Sequence, residues 1–303
     1  MENIAEPVKK SYTKKGEDEK KEEKMNNKTN DVLKKVNYKL IALDLDGTLT
    51  NDEKEIPEYT TRVLMRAQEQ GVRIALVSAR PSSGLHYERD VLKLQKYGGL
   101  LLSYNGGRIV EAENGNVLYE TTLDPQVTKE ILRYLEDLPV TVIMDDCDRL
   151  YVKDRNGYQV QQESYNDHMD VVEVPDLVEA LTFPVVKLLL AVDPEIIFDV
   201  QKQIAEYLPD DLTVVRTAPF YLEIISKKIS KGQGIRQVCE YIGIRPEEVI
   251  AFGDAENDIS MIQVAGMGIA MGNAEPAVKE VADRITLTNN EDGIAVALEQ
   301  ILS

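Results

Sequence analysis

The stretch LIALDLDGTLT, residues 40–50, sets an apolar run against two carboxylates one residue apart and a glycine. Four apolar residues ending at a turn signal predict a buried strand, so Asp44 stands at its carboxyl end. Two like charges this close cost free energy unless a cation or a shared proton relieves them. One reading is an ordinary turn cluster, because Asp bonds its own backbone in turns and caps helices. A calcium loop also begins Asp-x-Asp and finds Glu55 at its last position, but it requires Gly where Leu49 stands and a helix where the strand stands. That reading fails. The richer chemistry lets a strand-end carboxylate attack phosphorus while a second, two residues on, exchanges protons with the leaving oxygen and with water. Gly47 then allows a sharp turn whose amides face a phosphate.

Outward from this stretch, short apolar runs alternate with helical periods, the signature of βαβ units and a mostly parallel sheet. The helix IPEYTTRVLMRAQEQG has Pro57 near its start and Gly71 as its stop, and the strands VRIALVS and GLLLSYNGG follow, the latter ending in a turn at Asn105 and Gly106. The rhythm resumes with helix GQGIRQVCEYIG, strand EVIAFGD, helix NDISMIQVAG, strand GIAM, a short helix from Pro276, strand RITLT and helix GIAVALEQIL. Residues 111–216 have a different texture. Short β-prone pieces (NVLYE, TVIMDD, RLYVKD, VVKLLLAV, LTVVRT) mix with the helices QVTKEILRYLEDL and EIIFDVQKQIAEYL, which predicts an inserted α+β domain with an antiparallel sheet. The fold class is therefore α/β, a Rossmann-like parallel-sheet core of residues 37–110 and 217–303 around that insertion.

The chain has 303 residues, ample for a buried core. Its two cysteines, Cys147 and Cys239, lack disulfide-framework or zinc spacing and read as small buried hydrophobes. Residues 1–36 hold ten Lys and eight Asp or Glu with almost no apolar periodicity, the composition of a disordered tail. The tail lacks the apolar region of a secretory signal, and Met25 offers an alternative start. No long apolar run predicts a membrane span, so a reducing cytoplasm is the expected setting. The tail is net +2 within an overall charge of −18, which leaves −20 on the rest. So acidic a body repels nucleic acid, and an anionic substrate needs local cations.

A second acidic cluster, GDAEND at 253–258, also falls at a strand end. Alone it reads as a helix N-cap. Beside Asp44 and Asp46 at the same sheet edge, it makes a carboxylate cage for a hard cation such as Mg²⁺, which relieves the repulsion of the first pair. Ser78 in VSARP either caps a turn or grips a phosphate oxygen with the following amide. Lys231 in KKISKG is either solvated surface or, at a helix start before Gly232, an ammonium held over a phosphoryl group. Asn105 and Asn273 end turn-rich strands where they can line a pocket; His86 and His168 have no partner spacing.

DLDGT, the Ser78 strand end, Lys231 and GDAEND together resemble the haloacid dehalogenase (HAD) superfamily. SYNGG, EVIAFGDAENDISMI and GMGIAMGNAEPAVKEVADRITLTNNEDG resemble its Cof-type phosphatases, which carry a C2-type α/β cap, over about residues 37–302. The resemblance implies Asp44 as nucleophile and Asp46 as acid/base. It implies Mg²⁺ held by Asp44, the Asp46 carbonyl and Asp254, with Asp258 supporting the metal shell. Phosphate would be held by Ser78, Lys231 and Asn257 with the backbone amides of Leu45 and Ala79. The family's second motif usually reads Thr-Gly-Arg where this chain has Ser78, Ala79 and Arg80, which keeps the hydroxyl.

The expected activity is Mg²⁺-dependent hydrolysis of a small phosphorylated metabolite, a sugar phosphate above others, through an aspartyl phosphate. No nucleic-acid or membrane partner is expected. A phosphomutase of similar fold is one alternative. A receiver-like signalling module, which also builds an aspartyl phosphate, is the other, but it lacks an acid at the position of Asp46 and needs no insertion of this size.

Overall fold

The computed structural model of the chain describes residues 37–302. The tail expected at 1–36 lies outside the described residues. Eight strands form the larger sheet: β1 (Leu40–Leu43), β2 (Arg73–Val77), β3 (Leu100–Ser103), β4 (Arg108–Glu111), β5 (Val117–Glu120), β12 (Val249–Gly253), β13 (Met267–Ala270) and β14 (Arg284–Ile285). Their order is β14-β13-β12-β1-β2-β3-β4-β5. The six strands from β14 to β3 run parallel, while β4 and β5 close one edge antiparallel.

β1 lies mid-sheet with all four residues buried, which explains why it reads as an unbroken apolar run: a parallel strand with both faces covered has no solvent side. Fully burying each of its larger side chains contributes about 1.5–3 kcal/mol. Helix Glu58–Glu69 connects β1 to β2. Pro57 precedes its first turn, and Gly71 ends the segment with φ +90°. Its apolar stripe of Val63, Leu64 and Ala67 is buried, the usual construction of a βαβ crossover. RITLT forms only the short β14, because pairing with β13 stops after Ile285.

The second sheet has six strands: β6 (Thr141–Asp145), β7 (Arg149–Val152), β8 (Asp170–Glu173), β9 (Lys187–Ala191), β10 (Leu212–Ala218) and β11 (Tyr221–Ser226), in the order β10-β11-β9-β6-β7-β8. Helices Pro125–Leu135 and Ile197–Tyr207 supply Ile131, Leu132, Leu135, Val200 and Ile204 to a separate apolar core with Leu188, Leu190 and Leu222. The expected limits of 111 and 216 shift at the level of strands. NVLYE, read as part of the insertion, is β5 of the larger sheet, brought back antiparallel by a turn at Gly115 (φ +73°); β11, beyond 216, belongs to the smaller sheet. A β-prone piece has the same alternation in either sheet, so its own residues do not assign it. The smaller sheet is also not wholly antiparallel. β7 and β8 are parallel, as the intervening helix Val160–Asp167 allows.

Candidate active site

Asp44 follows β1 and Asp254 follows β12. Because these parallel neighbours pair Leu43 with Phe252, the two carboxylates leave adjacent strands at the same edge. β2 and β3 extend the sheet to one side of β1, and β12, β13 and β14 extend it to the other. Open α/β sheets bind ligands in the crevice beyond such a reversal of strand order.

Lys231 is the first residue of helix Lys231–Ile242, whose N-terminus Ser230 caps by accepting from the Gln233 N–H. The lysine is only 1% exposed, and its Nζ donates to Asp44 Oδ1 at 2.5 Å and to Asp258 Oδ1 at 2.6 Å. Oδ2 of Asp258 accepts from the backbone N–H groups of Asp254 and Ala255 at 2.9 and 3.0 Å. Both oxygens of Asp258 are thus committed to holding other groups of the site. Gly253 permits this approach, since a Cβ there would lie 2.4 Å from the Cβ of Asp258.

The two acidic motifs interlock. Thr48 Oγ1 donates to Asp254 Oδ1 at 2.7 Å, and Asn273 Nδ2 donates to the Gly47 carbonyl at 2.7 Å. Gly47 has φ +81°, a region that disfavours any side chain, and a Cβ on it would lie 2.5 Å from Asp254 Oδ2. The glycine is therefore required both by the turn and by the carboxylate packed against it.

Carboxylate oxygens of Asp44, Asp254 and Asp258 lie within 4.8 Å of one another. Three carboxylates against one ammonium leave negative charge in a buried place. Burial and the Asp258 carboxylate, offset in part by Lys231, raise Asp44 well above the usual carboxylate range, and burial raises Asp254. Burial would lower Lys231, but Asp44 and Asp258 raise it above its usual value, so it stays charged. A hard divalent cation suits this all-oxygen donor set, and its charge opposes the cause of both carboxyl shifts.

The other sequence candidates converge on the same edge. Ser78 is buried after β2, and its Oγ accepts from the Arg80 N–H at 3.2 Å. Asn257 donates to Asn105 Oδ1 at 3.0 Å, and the Asn105 N–H donates to the Ser78 carbonyl at 2.8 Å. Asn105 thus ties two candidate phosphate-holding residues together from a left-handed turn at φ +56°. Leu45 is buried, and its carbonyl accepts from the N–H groups of Thr48, Leu49 and Thr50, which pins the loop. Among the described residues the N–H groups of Leu45 and Ala79 donate to no backbone acceptor outside regular elements, the condition for meeting a phosphate oxygen.

Sequence reading missed the partners of Asp46. Arg80 grips it with two hydrogen bonds, Nε to Oδ2 at 3.0 Å and Nη2 to Oδ1 at 2.6 Å, and Lys54 Nζ reaches Oδ1 at 2.7 Å. Burial would raise Asp46, but Arg80 and Lys54 outweigh it and hold the carboxyl below its usual range. Arg80 was within reach as the third residue of the second motif. Lys54 sits in an ordinary charged loop and carries no signal.

Residues 41–298 match the profile of the haloacid dehalogenase-like hydrolases. The chain belongs to this family. It is 32% identical over 270 residues to the 5-amino-6-(5-phospho-D-ribitylamino)uracil phosphatase YitU of Bacillus subtilis, a match covering 87% of this chain and 97% of that one. A haloacid dehalogenase-like hydrolase from Bacteroides thetaiotaomicron superposes with a TM-score of 0.82 at 40% identity, over 87% of this chain and 99% of the other. A HAD subclass IIB sugar phosphatase superposes with a TM-score of 0.70 at 26% identity, covering 86% and 98%. This HAD hydrolase is a phosphatase. No described helix is long and apolar enough to cross a membrane.

Proposed function

We propose that the protein hydrolyses small phosphomonoesters, sugar phosphates among them, through an aspartyl phosphate on Asp44 and with Mg²⁺ as cofactor. The observation that carries this reading is the Lys231 ammonium bridging Asp44 and Asp258 beside Asp254, at the switch point of the sheet. In the first half-reaction an Asp44 oxygen attacks phosphorus and the ester oxygen leaves with a proton. In the second, water attacks the aspartyl phosphate and releases inorganic phosphate and Asp44. Lys231 balances the phosphoryl charge and keeps Asp44 aimed, while Ser78, Asn257 and the Leu45 and Ala79 amides take the phosphoryl oxygens.

Asp46 is the proton-exchanging group. Its pairing with Arg80 and Lys54 favours the carboxylate, so it is best prepared as the base that deprotonates the hydrolytic water. As the acid of the first half it needs a proton, which requires the arriving phosphoryl group to compete for Arg80 and Lys54. Asp44 and Asp254 would hold Mg²⁺ with the Asp46 carbonyl, Asp258 fixing the backbone and the lysine behind them. When bound, the cation neutralises charge on the phosphoryl oxygens.

Two similar proteins support a sugar-like leaving group: a sugar phosphatase among the structural neighbours, and a phosphatase whose substrate carries a phosphorylated ribityl chain. The insertion is the cap, and it faces the core across the cavity beside Asp46. Hydrolysis of p-nitrophenyl phosphate with Mg²⁺ and after chelation tests the reading. Turnover that persists in thoroughly chelated protein would remove the cofactor, and turnover by Asp44→Ala would remove the mechanism.

A further inference from the structure

Directly after β3 the chain turns through three consecutive left-handed residues, Tyr104 at φ +51°, Asn105 at +56° and Gly106 at +85°. Glycine enters that region freely, whereas a bulky residue such as tyrosine stays there only where its surroundings hold it, and such outliers gather at ligand clamps. The turn is fastened to the core. The Tyr104 N–H donates to the Arg80 carbonyl at 3.0 Å, and the Asn105 N–H donates to the Ser78 carbonyl at 2.8 Å. The Asn105 side chain accepts from Asn257 at 3.0 Å. Gly106 packs so closely on helix Lys231–Ile242 that a Cβ added to it would lie 3.0 Å from the Cα of Gly234.

The Tyr104 side chain, 3% exposed, reaches the insertion instead. Its ring packs with Val186, which precedes β9, and with Ile229, which follows β11. Its hydroxyl donates to Oδ1 of Asp145, the last residue of β6, and the same oxygen accepts from the Cys147 N–H at 3.0 Å. Lys187 holds its Nζ 5.8 Å from the centre of the Tyr104 ring. The cavity beside Asp46, about 710 Å³ in volume, takes Asp46, Ala79 and Arg80 from the core and Lys187 and Glu223 from the insertion. A leaving group attached to a phosphoryl group at Asp44 therefore lies between the two sides, and its contacts depend on how the insertion is seated relative to Ser78 and Arg80.

We propose that Tyr104 is a positioning residue of the hydrolysis: its hydroxyl seats β6 of the insertion on the turn that fastens Ser78, Arg80 and Asn257, so that the leaving group is gripped from both sides. The inference rests on the phosphatase reading of the Asp44 site and deepens it. A residue that only filled the apolar cluster with Val186 and Ile229 would not need the hydroxyl, and phenylalanine would serve as well. Without the hydroxyl the ring still fills its place and the backbone still holds Arg80 and Ser78. The loss is confined to the polar tie between this turn and β6.

The test uses the full chain with Mg²⁺ and compares wild type, Tyr104→Phe, Asp145→Ala, the double variant and Asp145→Asn. Kinetics on p-nitrophenyl phosphate give kcat and KM, and inorganic phosphate as inhibitor reports the phosphate end of the site. Tyr104→Phe is expected to lower kcat/KM about tenfold, mainly as a rise in KM, with phosphate inhibition held within about twofold, because only leaving-group contacts are lost. Asp145→Ala should do the same, and the double variant should lose no more than either, since both remove one interaction. Asp145→Asn keeps an acceptor for the hydroxyl and should stay within about threefold of wild type. Thermal melting identifies the folded variants; a role in stability alone would shift melting and leave KM at its wild-type value. Folded Tyr104→Phe with wild-type KM overturns the proposal, as do losses that add in the double variant or an equal weakening of phosphate inhibition. Should Tyr104→Phe not fold, Asp145→Ala against Asp145→Asn decides, and equal KM values overturn the proposal. A wild-type chain inactive on p-nitrophenyl phosphate overturns the underlying site reading instead.

Discussion

Among the described residues two lysines are buried among carboxylates, and the two clusters are built differently. Around Lys231, the acidic groups are held by backbone N–H groups, a threonine hydroxyl and close-packed glycines. Asp258 is held by two N–H groups, Asp254 is held by Thr48, and Gly47 and Gly253 leave no room for other residues. Around Lys187, contacts pass between side chains. The lysine meets Glu223 on the adjacent strand β11, and Glu163 and Asp167 come from helix Val160–Asp167. Asp167 also bridges to the core, where the Ser83 hydroxyl donates to its carbonyl at 3.3 Å. A cluster anchored by backbone and glycine holds one geometry, which phosphoryl transfer requires. A cluster anchored by side chains is altered by single substitutions without disturbing the chemistry beside it.

Asp44→Asn has the largest expected effect, a loss of turnover of about 10⁴-fold or more with the fold intact, since a nucleophile has no substitute. Steady-state kinetics on p-nitrophenyl phosphate with a parallel melting curve check it; residual turnover near wild type would move the nucleophile elsewhere. Lys231→Met should be costly twice over. It leaves two buried carboxylates uncompensated, a destabilisation of about 3–5 kcal/mol, and it removes the phosphoryl counter-charge. Lys187→Met strips Glu223 in the same way and should destabilise comparably, yet slow turnover of p-nitrophenyl phosphate far less. Equal losses of turnover in the two variants would erase the distinction between the clusters.

Asp46→Asn is expected to slow turnover by about 10²-fold or more, with the aspartyl phosphate accumulating because water is no longer deprotonated. The smallest effect concerns pH. Asp167 is raised to about 8 by burial and Glu163, with Lys187 and Arg80 opposing and Asp145 adding to the rise. Between the ordinary carboxylate range and that value the folded chain binds a proton the unfolded chain has lost. Its stabilising contribution is therefore full at low pH and lost as pH rises through about 8. Asp167→Asn should flatten the decline in stability between pH 5 and pH 8, measured by denaturant titration. A decline as steep as wild type would mean that Asp167 is not the proton held.

The same contrast explains what was readable in advance. Asp44, Ser78, Lys231, Asp254 and Asp258 lie at strand ends or a helix start within contiguous motifs, and glycines at fixed offsets announce the turns that aim them. Parallel buried strands such as Leu40–Leu43 and Val249–Gly253 were legible because their apolar runs are unbroken. Of the Asp46 partners, Arg80 lay within a readable motif, whereas Lys54 was not readable, since it approaches from a loop with no pattern. Nor was the sheet that claims Val117–Glu120, or β11 with its Lys187 partner Glu223, because pairing between distant segments leaves no mark on either alone. Asp167 gave no signal for the same reason: it lines a cavity assembled from two regions.

The central claim is that Asp44 carries the phosphoryl group. Acid quench of the Asp46→Asn variant during turnover of a phosphomonoester with Mg²⁺, followed by peptide mass mapping, tests it directly. The account predicts one added phosphoryl group, labile to hydroxylamine, on the peptide containing Asp44. A phosphorylated peptide elsewhere, or active protein that never yields a phosphoenzyme in rapid-quench time courses, would contradict it.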